Sequence, residues 1–246
     1  MVASVTVVTP TYNREPKFLR NLLHTLDNQT VPVSAIVVDS GESYRDDTRE
    51  LCEGYDFVKL VEVPRPSFSL SWSCNVGIRT AITDYIMTIG SCVMISVNFI
   101  EAVLSKMHED AIVSGVIGIL PESAELGDVV ADWDKLCATL DPSLKSGPGG
   151  IGWSVGACFV MHREKWHKIH GYNEYLKFAY ADSCLLRRAR LAGGKLDFIQ
   201  FCDAQLLHQW HPKSALISQL GGSIAEMQET PMVCNLNGWG EPWAYL

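Results

Sequence analysis

The chain has 246 residues, with 28 Asp and Glu against 20 Lys and Arg, a net charge of −8. With 47% hydrophobic and 20% charged residues it is too apolar to be disordered and long enough to bury a core without staples. The acidic balance argues against gripping nucleic acid by overall charge, and no apolar run approaches the roughly 20 residues of a membrane helix, so no membrane span is expected.

The β-branched run Ser4–Thr9 stops at Pro10 and predicts a buried strand. In Lys17–Gln29, Leu19, Leu22, Leu23 and Leu26 share one face of an amphipathic helix. Ala35–Val38 is a second strand ending at Asp39-Ser40-Gly41, Asp46–Tyr55 a helix and Val58–Val63 a third strand. This alternation predicts a parallel sheet with helices on its faces, and ligands of such sheets sit at the carboxyl ends of the strands. Those ends are here Pro10–Arg14 and Asp39–Gly41.

Ser71–Thr83 reads as a helix, Tyr85–Ile89 as a strand, Asn98–Met107 as a helix and Ile112–Ile119 as a strand. Residues 121–152, punctuated by Pro121, Gly127, Pro142 and Ser146–Gly150, read as a mobile loop over a site. Val155–Met161 is strand-like, His162–His170 a short helix, and Asp182–Ala192 a helix stopped by Gly193-Gly194. Leu196–Gln200 and Ala204–His208 look extended, and Ser214–Gln228 helical with a break at Gly221-Gly222. The tail Asn235–Leu246, with Trp239, Trp243 and Tyr245, is expected to fold back onto the body. No linker divides the chain, so a single domain over residues 1–246 is expected.

None of the eight cysteines forms a CxxC pair and most lie in apolar runs, which reads as buried free thiols rather than a disulfide frame or a zinc site. No secretory leader is recognised at the start, and the expected location is cytoplasmic.

Several residues carry chemistry. Tyr12 and Arg14 follow the first strand, where a ring can stack on a base and a guanidinium can pair with phosphate; the same segment also suits a plain strand–helix loop. Asp39 can accept from a ribose hydroxyl or a base N–H, or can close an Asx turn or cap a helix. Trp153 and Trp210 are suited to stacking on a sugar ring or to the core. The basic run His162–His170 is a solvated helix face before it is a phosphate site.

Together these segments resemble glycosyltransferases of the GT-A fold, in the large family 2. The resemblance rests on Val5–Arg14 with its P-x-Y-N, the Leu-rich helix with Asn28-Gln29-Thr30, and Ile36–Gly41 ending in an Asp. Ser71–Arg79 is similar to the A-R-N-x-G-I segment, with Cys74 at the usual Arg, and Trp153–Arg163 to the stretch before G-G-F-D-E, which Gly171–Glu174 matches loosely. Phe178–Arg188 is similar to W-G-x-E-D-x-D-L-x-x-R.

The resemblance implies an α/β fold with a mixed, mostly parallel central sheet flanked by helices, a nucleotide-donor half over residues 1–95 and an acceptor half with the tail over 96–246. It implies inverting transfer of a sugar from a nucleotide-sugar donor to an acceptor hydroxyl. Pro10, Thr11, Tyr12, Arg14, Asp39, Asn75, Ser91 and Cys92 would bind the donor, with Asn75 near its phosphates. Trp153 and Trp210 would meet the acceptor, and Asp182 would be the general base, although an Asp at that position also suits a helix N-cap. The acceptor class stays open, modified nucleic acid included.

One departure stands out. The family's D-x-D metal motif falls on Gly90-Ser91-Cys92, and no carboxylate occurs between Asp84 and Glu101. Mg²⁺ and Mn²⁺ prefer oxygen ligands, so a divalent metal is left undecided. The enzyme is metal-independent, or a metal is held elsewhere, or the chain is a catalytically inactive module binding a nucleotide sugar or a partner protein. His208 lies where many GT-A enzymes carry a late His, and His211 follows at metal-ligand spacing. Such a pair suits zinc better than manganese, and a half-buried structural role suits it equally.

Overall fold

The computed structural model describes residues 4–144, 147–153, 156, 158–212 and 222–241. Its first strands and helices alternate: β1 (Val5–Thr11), α1 (Pro16–Asp27), β2 (Ser34–Asp39), α2 (Arg45–Glu53), β3 (Val58–Glu62), α3 (Leu70–Thr80) and β4 (Tyr85–Ile89). Then come β5 (Val93–Ile95), α4 (Phe99–Lys106), β6 (Ala111–Ile119), α5 (Trp133–Ala138), β7 (Ile151–Trp153), β8 (Cys158–His162) and α6 (Arg163–Ile169). The chain continues through α7 (Ala181–Leu191), β9 (Lys195–Ile199), β10 (Leu206–His208) and α8 (Ile224–Glu229).

The strands form one sheet with the order β3-β2-β1-β4-β8-β6-β10-β5, with β7 and β9 also paired to β6. β1, β2, β3 and β4 run parallel. β8 is antiparallel to its neighbours β4 and β6, while β9 and β10 are parallel to β6. This is the mostly parallel α/β sheet that the alternation of elements predicts.

Both faces of the inner strands are covered, which is why they read as nearly continuous apolar runs. Val5, Val7, Ala35, Val37 and Met87 pack with Leu19, Leu22 and Leu23 of α1 and Phe99 of α4 on one face. Val8, Ile36, Val38 and Ile86 pack with Trp72, Val76, Trp166 and Leu185 of α3, α6 and α7 on the other.

The reading of residues 121–152 as a loop over a site is corrected in part. This stretch contains α5 and β7, and Val129, Leu136 and Leu140 bury themselves with Met94, Leu120 and Leu207 at the far edge of the sheet. Elements of three and six residues are too short to show a period, so β5, β7 and α5 escaped the pattern. The predicted helix Ser214–Gln228 is seen only as α8, its earlier part lying outside the described residues, as do Trp243 and Tyr245 of the tail. The tail does fold back at Trp239, which stacks on His170 with ring centroids 5.9 Å apart and an interplanar angle of 8°.

The basic run on α6 is a solvated face at Glu164, His167 and Lys168, and its other residues turn inward. Lys165 is buried and reaches Asp110 at 3.3 Å, Trp166 donates to the Ile86 carbonyl at 3.0 Å, and His170 holds the tail. Arg188 of α7 is fully buried, its guanidinium donating to the carbonyls of Ile169, Gly171, Pro231 and Met232.

α3 crosses β1 and β2 at Gly77. A Cβ there would collide with Val8 and stand 3.1 Å from Val38 Cγ2. Gly77→Ala should therefore cost about 1–3 kcal/mol by overpacking, read as a lower urea midpoint with an unchanged slope.

Candidate active site

β1 lies between β2 and β4, and the chain reaches these neighbours by connections on opposite sides. At such a switch point the loops leave the strand ends in opposite directions and open a crevice. A cavity of about 280 Å³ occupies it, lined by Pro10, Thr11, Tyr12 and Arg14 after β1 and by Gly90, Ser91 and Cys92 after β4. Pro66, Ser67, Phe68 and Leu70 form one wall, and Phe178, His208 and His211 close the others. A larger hollow of about 720 Å³ between α1 and α2 is shallow and touches no strand end.

The wall is aromatic. Tyr12 lies 5.5 Å from Phe68, and Phe68 6.0 Å from Phe178, between ring centroids. The Tyr12 hydroxyl donates to the Pro66 carbonyl at 3.3 Å, which fixes the ring at the mouth.

Asp39 ends β2 beside Thr11, its register partner on β1. It is 3% exposed. Its Oδ1 accepts from the Gly41 N–H at 3.0 Å, the expected Asx turn, while Oδ2 is buried with no partner among the described residues. Burial raises its pKa above the usual carboxylate range, against the lowering pull of the Gly41 N–H. A buried carboxylate oxygen without a donor is unfinished unless another group meets it.

Asp182 stands in the first turn of α7, four residues after Phe178. The N-cap is Tyr180, in the left-handed region at φ 60°, so Asp182 is not the cap. Its carboxylate lies against Gly156, where a Cβ would collide with it. Desolvation by burial raises its pKa to about 6, outweighing the helix terminus that favours the anion.

At the opposite end, the Cys92 thiol and His208 Nε2 are 3.3 Å apart, and the His208 and His211 rings 5.1 Å apart. One ligand atom from each of the three residues lies within 4.8 Å of the others. Burial, helped by the nearby Arg14 charge, lowers the His208 pKa, so its ring is neutral near pH 7. A carboxylate-held Mg²⁺ or Mn²⁺ does not fit this place, because no acid among the described residues lines the cavity.

The structure thus brings Pro10, Thr11, Tyr12, Arg14, Ser91, Cys92, His208 and His211 together and sets Asp39 beside them. Asn75, Trp210 and Asp182 stand outside the cavity lining. Asn75 is 0% exposed, away from the cavity; its amide binds Tyr172 N at 2.7 Å, Tyr172 O at 2.9 Å and Glu174 Oε1 at 2.8 Å. Trp210 is half-buried and outside the cavity lining. Trp153 belongs to β7, and its side chain lies outside the described residues. Phe68 and Phe178 escaped sequence reasoning; Phe178 stood at the aromatic position of the family segment and was the one available signal.

A doubly wound, mostly parallel sheet with its cavity at the switch point and an acid at the neighbouring strand end is the arrangement of nucleotide-binding α/β folds, the GT-A class among them. The model of the family described as "Glycosyl transferase family 2" matches residues 6–165, and the chain belongs to that family. Among solved structures, S. aureus TarS 1–349 in complex with UDP-GlcNAc is similar, with a TM-score of 0.63 and 16% identity over 87% of this chain and 61% of that one. The same fragment in complex with UDP has a TM-score of 0.60 and 15% identity over 85% and 61%. The chain therefore spans less than two thirds of these structures, and at such identities the likeness concerns the fold. No curated protein sequence matches it.

Asn75→Ala should lower unfolding stability by about 3 kcal/mol, because the amide's partners stay buried and unpaired. Ligand binding by the folded fraction, measured by calorimetry below the transition, should not change.

Proposed function

We propose that the chain transfers a glycosyl group from a nucleoside-diphosphate sugar to an acceptor hydroxyl, with inversion at the anomeric carbon. The carrying observation is the switch-point cavity, with an aromatic wall, Asp39 beside it and basic side chains at its far end. Family membership and the likeness to a structure with bound UDP-GlcNAc support the donor class.

In this reading Tyr12 offers a stacking face to the base, and the free Asp39 oxygen accepts from the nucleoside. Arg14 faces the diphosphate, whose charge it would offset. The acceptor oxygen attacks the anomeric carbon as the bond to the diphosphate breaks, and Asp182 takes the hydroxyl proton. A carboxylate with a pKa of about 6 is ionised at pH 7 yet basic enough to assist that transfer. The location is proposed to be cytoplasmic; among the described residues no helix is long and apolar enough to cross a membrane.

Ala181 stands where the family segment carries an acid, which favours a second reading, a module that binds a nucleotide sugar or a protein without turning it over. A panel of nucleotide sugars, assayed for released nucleoside diphosphate with and without acceptors, separates the two. Release supports the transferase, and binding without release across the panel supports the module.

Asp182→Asn should abolish turnover while keeping donor binding; full activity in that variant would overturn the base assignment. In the wild type kcat/KM should fall about tenfold per pH unit below pH 6, where the carboxylate is protonated. Asp39→Asn should weaken nucleotide binding by about 1.5–3 kcal/mol, the range for a hydrogen bond to a charged group, with kcat changed less than KM.

A further inference from the structure

Cys92, His208 and His211 come from two segments held in register. His208 pairs with Val93 across the antiparallel β10–β5 ladder, and the next backbone N–H, of Gln209, donates to the Cys92 carbonyl at 2.8 Å. Gln209 is fully buried, donates to the Phe18 carbonyl at 2.9 Å and accepts from Asn21 at 2.7 Å. The His211 ring packs edge-on against Phe18 at 5.7 Å. The three donor groups are thus set by the backbone rather than by long mobile side chains.

Their chemistry is one thiol and two imidazoles, with no acid among the cavity-lining residues. That set rejects hard, oxygen-seeking cations and favours zinc-class ions. A tetrahedral zinc ion places a sulfur and a nitrogen ligand about 3.6 Å apart, from its usual bond lengths; Cys92 Sγ and His208 Nε2 are 3.3 Å apart. Without an ion the Cys92 thiol and His208 Nε2 meet in a hydrogen bond, and His208 Nδ1 is buried with no partner among the described residues.

We propose that Cys92, His208 and His211 form a three-ligand site for a zinc-class transition-metal ion, its fourth coordination position open to the switch-point cavity. A soft-ligand site thus replaces the carboxylate site that residues 90–92 lack. That the open position meets a donor diphosphate rests on the transferase reading; metal binding itself does not.

The test is a Co²⁺ titration of the chelator-stripped full chain without nucleotide. The expected result is one equivalent bound, with a near-ultraviolet thiolate-to-cobalt charge-transfer band and tetrahedral visible bands, both displaced by Zn²⁺. Cys92→Ser should lose the charge-transfer band, and His208→Ala and His211→Ala should each weaken binding about tenfold or more. Cys202→Ser, which removes an exposed thiol outside the cavity, should leave the titration unchanged. Cys92→Asp should lose the charge-transfer band and gain Mn²⁺ binding, read by electron paramagnetic resonance on a protein whose circular dichroism shows it folded. Absence of a bound equivalent in the wild type, or a charge-transfer band that survives in Cys92→Ser, would overturn the site. Turnover is not read, so an inactive protein that binds cobalt through Cys92 would support the site while counting against the transferase.

Discussion

The structure depends on one buried amide. Asn75 sits in the middle of α3 and bonds to both backbone groups of Tyr172 and to Glu174. Glu174 Oε1 also accepts from the Gly240 N–H at 2.7 Å, and Asn235 bridges Tyr172 O and Glu174 N from the tail. Three distant stretches of chain therefore meet at a point with no water to replace a lost partner, where an unmade hydrogen bond is most costly. Gly171 adopts φ +59°, and a Cβ on it would strike the Asn75 amide oxygen, so a side chain there is opposed by backbone and by space alike.

That hub determines where the chemistry can be. The turn at 171–174 leads through Phe178 into α7, so anchoring it to α3 fixes both an aromatic wall of the cavity and the position of Asp182. Arg188, further along α7, donates to the carbonyls of Ile169 and Gly171 and of Pro231 and Met232. Burial lowers its pKa, and the carbonyl cage is what makes a fully buried guanidinium tolerable. α7 is thus tied to α3 through the 171–174 turn by polar contacts that apolar packing could not orient.

The long, regular elements were legible because each repeats a period enough times to be seen. Leu19, Leu22, Leu23 and Leu26 announce α1, and the paired runs around Val7 and Val37 announce strands covered on both faces. The site was legible where it follows from strand ends, as at Tyr12 and Asp39. Asn75 was found as a motif residue but assigned to phosphate, because a motif marks a position without saying whether its partners are a ligand or the protein. Cys92 was the opposite case. The cysteine spacing gave no zinc site and the His208–His211 pair alone stood as a metal candidate, because only the pairing of β10 with β5 and β6 brings the two histidines beside Cys92.

The distribution of charge decides how these parts work together. A net charge of −8 would repel a diphosphate if it were spread evenly, but among the described residues the cavity wall holds the Arg14 guanidinium and no acid. The nearest acid by strand order, Asp39, lies at the β2 side, where burial raises its pKa and its free oxygen calls for a donor. An elongated ligand that is hydrogen-bond donating at one end and anionic at the other is therefore favoured in one direction, since reversing it would set its anionic end beside the Asp39 carboxyl and away from Arg14. Direction, more than affinity, is what the proposed transfer would require of this cavity, because the glycosyl group has to extend away from the buried Asp39 side to meet an acceptor.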